Sequence, residues 1–129
     1  SLNLTKIAKV PDNISVIVIA SPKKPYLKLE IEKLITYLKQ GGNLLLMLEP
    51  GINNNLDMLL EYISITKLSG TVIDLETQRY KEVPPSFVLI KAYPEAAVLS
   101  SKLISLFPQA SAFKISSAWQ PILITKENY

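Results

Sequence analysis

Two apolar runs frame a helical stripe near the start of the chain. Val16–Ala20 is a continuous, mostly β-branched run, and Leu44–Leu48 is a continuous aliphatic one. Between them Leu27, Ile31, Leu34, Ile35 and Leu38 recur at the spacing of one helix face. The order predicts strand, loop, amphipathic helix and strand. An unbroken apolar run is the mark of a strand covered on both faces, so both strands are expected to be hidden. A hidden pair joined by a helix should be parallel, with a right-handed crossover.

Punctuation residues sharpen the boundaries. Pro22 and Pro25 bracket Lys23-Lys24 and hold that loop extended. The helix is expected over Lys28–Gln40, with Glu30 and Glu32 in its first turn and Lys39 in its last, as the helix dipole favours. Glu30 stands at the third position of a capping box, but the cap itself is Leu27, which has no oxygen to offer a backbone N–H. Tyr26 and Ile31 are placed to form a hydrophobic staple. Gly41 can adopt the left-handed conformation that ends the helix.

The remainder is less regular. Residues 1–10 carry Leu2, Leu4, Ile7 and Val10 and suit a short edge strand. Asn53-Asn54-Asn55 are expected to cap a second helix with Leu56, Leu59, Leu60 and Ile63 on one face. Thr71–Asp74 suggests a strand, Leu75–Ser86 an exposed loop, and Phe87–Ala92 another strand. Ala96–Phe107 suggests a helix ended by Pro108, followed by strands at Ala112–Ser116 and Ile122–Thr125.

Composition removes whole classes of chemistry. The 129 residues are expected to form one α/β domain, 1–129, and they contain no cysteine and no histidine. That excludes a thiol nucleophile, a disulfide framework and zinc sites built on imidazole or thiolate. It also removes the commonest general base near neutral pH. No apolar run reaches the roughly 18 residues of a membrane span. The net charge of +3 comes from thirteen lysines and one arginine, Arg79, against eleven acidic residues. The lysines are scattered rather than clustered, so no nucleic-acid partner is expected.

In an open α/β sheet, ligands bind beyond the carboxyl ends of the strands. Gly41-Gly42 precedes a strand and lies on the opposite edge, and no phosphate-loop or dinucleotide motif is present. The carboxyl-end loops are Ser21–Tyr26 and Glu49–Asn55. They offer Ser21, Lys23, Lys24, Glu49, Asn53, Asn54 and Asn55 as a candidate ligand or partner surface. A Ser–Lys nucleophile pair is conceivable there, without any accompanying oxyanion-hole signature. Glu49 has no second carboxylate close by in sequence, so no metal site and no cofactor are expected. Trp119 and Tyr93 are lone aromatics near prolines, for which packing is the plainer reading and a sugar or protein contact the sharper one.

Residues 11–50 resemble the auxiliary domain of gliding-motility-type ABC transport systems, the GldG-like family. The matching features are Pro11-Asp12, Val16–Ala20, Pro22, Glu30, Tyr37-Leu38, Gly41-Gly42, Leu44–Leu48 and Pro50. Weaker matches continue through Leu59-Leu60 to Val72-Ile73-Asp74 and return at Pro121–Thr125. The family's serine cap is Leu27 here, its glycine after the second helix is Ser64, and its Asp-Pro is Glu49-Pro50. Its His-Pro stands near Tyr93-Pro94, where the histidine is missing.

The resemblance implies an α/β fold of three layers around a mainly parallel central sheet. That sheet would be flavodoxin-like or class I glutamine amidotransferase-like, without the enzyme's cysteine and lacking its first β-α unit. It further implies a fragment of a longer membrane-anchored chain, on the extracytoplasmic (periplasmic) face of the inner membrane. There the domain would serve as a non-catalytic binding or scaffolding part beside an ABC-transporter membrane subunit. A sheet missing a neighbour would expose an edge, which suggests a homodimer through that edge. Two rival readings are a hydrolase or transferase using the Ser21, Lys23 and Glu49 loops, and a cytosolic nucleotide-binding regulator.

Overall fold

The computed structural model describes residues 2–79, 82–90 and 104–121. The strand expected at Ile122–Thr125, the first part of the helix expected at Ala96–Phe107, and Tyr93 lie outside these residues. Two compact units divide the chain between Thr66 and Lys67.

In the first unit, strand β1 (Val16–Ala20), helix α1 (Lys28–Lys39) and strand β2 (Asn43–Met47) form the expected β-α-β unit. β1 and β2 are parallel, with Val18 opposite Leu45 and Ala20 opposite Met47. Helix α2 (Asp57–Tyr62) follows, and the short strand β3 (Ile65–Lys67) runs across the division. The core gathers Ile17 and Ile19 from β1, Ile31, Leu34 and Tyr37 from α1, and Leu56, Leu59 and Leu60 around α2. Leu4 and Val10 join it from the N-terminal segment, which forms turns rather than the expected edge strand.

Local chemistry explains α1 closely. Glu30 Oε2 accepts from the Leu27 N–H at 2.9 Å, so the acidic half of the capping box forms without its usual partner. At the other end, Gly41 has φ +88°. The Gly42 N–H reaches the Tyr37 carbonyl at 3.1 Å, and the Gly41 N–H reaches Leu38 at 3.0 Å. These two bonds are a complete Schellman stop. Helix α2 ends in the same left-handed way, but on Ser64, with φ +59°.

The second unit contains a 3-10 turn (Leu75–Arg79) and strands β4 (Phe87–Ile90), β5 (Ser105–Pro108) and β6 (Phe113–Ile115). β4 and β5 pair antiparallel, Val88 facing Phe107. Asp74 organises this unit. Its carboxylate accepts from the Glu76 N–H at 2.9 Å and from the Leu89 N–H at 3.1 Å. Thr77 Oγ1 donates to the Asp74 carbonyl at 2.6 Å, and Asp74 and Thr77 are fully buried.

Several expectations need correction. Among the described residues the parallel pairing is confined to β1 and β2, while β4 and β5 run antiparallel. The strands are short and pair in two-stranded sheets, so the three-layer, mainly parallel, flavodoxin-like or amidotransferase-like sheet is not formed. The idea of such a sheet lacking its first β-α unit falls with it. Nor are the first two strands hidden on both sides. β1 alternates, with Ile17 and Ile19 buried but Val16 and Val18 51% and 53% exposed; Leu45 and Met47 of β2 are 51% and 46% exposed. An unbroken apolar run records that a strand can be covered on both faces, not that it is. Thr71–Asp74 is no strand, because the Asp74 side chain starts the 3-10 turn instead. Ser105–Pro108, where the sequence suggests the end of a helix, is strand β5.

Candidate functional site

The loops at the carboxyl ends of β1 and β2 come together as expected. The Ser21 N–H donates to the Met47 carbonyl at 2.8 Å, carrying the ladder one residue past β1. Ser21 itself has φ +41°, a left-handed conformation that turns the chain sharply out of the strand. Two residues on, Lys23 Nζ reaches both Glu49 oxygens, at 2.8 and 2.6 Å. This pair clamps one loop to the other, and both side chains remain open to solvent. The ammonium of Lys23 and the hydroxyl of Ser21 both donate to Glu49 and hold its carboxyl below its ordinary pKa.

The asparagines complete the clamp rather than capping α2. The Tyr26 N–H donates to the Asn54 carbonyl at 3.0 Å, and Asn55 Nδ2 lies 3.5 Å from the Tyr26 carbonyl. Asn53 Oδ1 accepts from the Asn55 N–H at 2.9 Å. Asn55 takes φ +55°, and the cap position of α2 is Leu56, with no side-chain bond. The asparagines favour a local turn over a helix cap, since a short amide closes on its own backbone two residues away. Asn54 is buried, and its Oδ1 has no hydrogen-bond partner among the described residues.

Lys24 is exposed beside this clamp and makes no ion pair among the described residues. It lines an open groove of about 570 Å³, with Leu2 and Thr5 on one wall and Pro25, Tyr26 and Leu27 on the other. Sequence reasoning did not single out Tyr26 or Leu27 for this surface. The signal is present in the apolar pair directly after Pro25, although Tyr26 also suits a staple with Ile31 and Leu27 the cap of the helix. Trp119 lies in the other unit, exposed, with its backbone N–H donating to the Ser116 carbonyl at 3.1 Å.

The catalytic potential of the loops follows from their bonding. A carboxylate whose pKa is pushed down is a weak base, and Lys23 is engaged with it in an ion pair. Among the described residues no group of three or more acidic side chains could hold a metal ion.

No protein-family model matches the chain, and no curated protein does. A solved structure titled "mmIFT52 N-terminal domain" is similar in fold, with a TM-score of 0.67 and 22% identity, over 84% of this chain and 51% of that one. The chain thus spans about half the length of that structure. The match sets the fold beside the IFT52 domain rather than a flavodoxin or amidotransferase. It also corrects the description of the chain as a gliding-motility-like, ABC-transporter, membrane-associated, Rossmann-like component: the similar structure carries a different title. Among the described residues no helix is long and apolar enough to cross a membrane.

Proposed function

We propose that the first unit is a non-catalytic binding or scaffolding module that recognises another protein through its carboxyl-edge loops. The observation that carries this reading is the mutual bonding of Lys23, Glu49 and Ser21. The groups that could have formed a nucleophile and base instead fix the shape of a surface. Loops bonded to one another favour recognition because less ordering entropy remains to be lost on contact.

The test replaces Lys24 or Asn53 with a photo-crosslinking residue in the full chain, with Lys39 on the far end of α1 as control. Adducts to one defined protein from the loop positions and not from Lys39 support the reading. Equal labelling from all three positions counts against it, as would a measured turnover that Lys23→Ala or Glu49→Ala abolishes at unchanged Tm. The extracytoplasmic location and the membrane-subunit partner rest on the sequence resemblance alone and stay with it.

A further inference from the structure

We infer that the groove lined by residues 2–5, 22–27 and 30 binds a segment of a partner protein that carries acidic and leucine-like residues. The inference rests on the binding reading above and adds the chemistry of the partner.

Both walls are braced by hydrogen bonds within the chain. On one side, Lys33 Nζ donates to the Leu4 carbonyl at 2.8 Å, and Asn3 Oδ1 accepts from the Thr5 N–H and hydroxyl at 3.1 and 2.6 Å. On the other, the Tyr26 N–H is held by Asn54, and Lys23 by Glu49. A preformed groove costs a ligand less ordering than a mobile one.

Its chemistry is mixed in a particular way. Leu2 is 40% and Leu27 61% exposed, so apolar anchors have partners on both walls. Of the charged residues lining the groove, Lys23 is committed to Glu49 and Glu30 to the Leu27 N–H. Among the described residues Lys24 is left with an uncommitted positive charge, and charge complementarity selects an acidic group beside it. Pro22 and Pro25 remove two N–H donors from the loop wall. Recognition therefore runs through side chains rather than through strand addition.

The test is fluorescence polarisation with a labelled peptide alternating aspartate and leucine, against a lysine/leucine peptide and an aspartate/serine peptide. The variants are Lys24→Glu and Leu27→Ser, both at exposed positions, with circular dichroism to confirm folding. The expected result is saturable binding of the aspartate/leucine peptide alone. Lys24→Glu should weaken it roughly fivefold to tenfold, and Leu27→Ser should weaken it as well. Binding unchanged by both variants, or equal binding of all three peptides, overturns the inference. So does binding to anionic lipid vesicles that the peptide does not displace. Crosslinking to a defined protein that persists undiminished in Lys24→Glu and Leu27→Ser leaves the module reading standing and removes the groove.

Discussion

The ring of Tyr37 occupies the space that a Cβ on Gly42 would need. Gly42 also donates its N–H to the Tyr37 carbonyl, so ring and backbone of one residue both define the next strand's start. The phenol oxygen lies 3.3 Å from the Ile14 and Asn43 carbonyls and accepts from the Asn43 N–H at 3.1 Å. One tyrosine thus ties the end of α1 to the entries of β1 and β2. Gly42→Ala should cost about 1–3 kcal/mol by overpacking. Urea unfolding measures it, and a cycle with Tyr37→Ala should show the Gly42 penalty shrinking once the ring is removed.

Asp74 holds the second unit through buried charge-assisted bonds. Asp74→Ala leaves the Leu89 and Glu76 N–H groups without their acceptor and should destabilise the chain by about 2–4 kcal/mol. Amide exchange should quicken first at Leu89 and Glu76. Protection retained at Leu89 would show that the carboxylate is not its essential partner.

Glu49 gives a pH signature. Its carboxyl titrates below its ordinary value because Lys23, and then Ser21, donate to it. A depressed acid contributes stability that is complete above its unfolded pKa and is lost as pH falls through the folded one. Carboxyl NMR titration should therefore find the Glu49 midpoint low, and Lys23→Ala should return it upward. Salt should weaken the effect, since the pair is solvent-exposed.

Ser64 sits in a left-handed conformation that glycine adopts without steric cost. Ser64→Gly should raise stability by roughly 0.5–1 kcal/mol, read as a higher Tm. A fall in Tm would mean that the serine side chain contributes more than its backbone strain removes.

Helix α1 was legible from the sequence almost residue for residue, down to the half-formed capping box at Leu27 and Glu30 and the stop at Gly41. The β1–α1–β2 order and the meeting of the Ser21 and Glu49 loops were legible too. These features depend on residues three to four apart, or on the rule that a helix between two strands returns the chain to the same edge. What covers each strand was not legible. Whether Val16, Val18, Leu45 and Met47 face solvent depends on segments distant in sequence, and an apolar run looks the same in either case. The same holds for Asp74, whose carboxylate meets Leu89 fifteen positions away, and for Lys23, which meets Glu49 at a separation of 26. The sequence by itself determined the local elements of the first unit, because backbone geometry and helical period are settled within a turn. Only the tertiary structure decided which faces stay open, which side chains clamp the loops, and that a groove lies between Leu2 and Leu27. Those outcomes are set by contacts across long separations, on which local pattern carries no information.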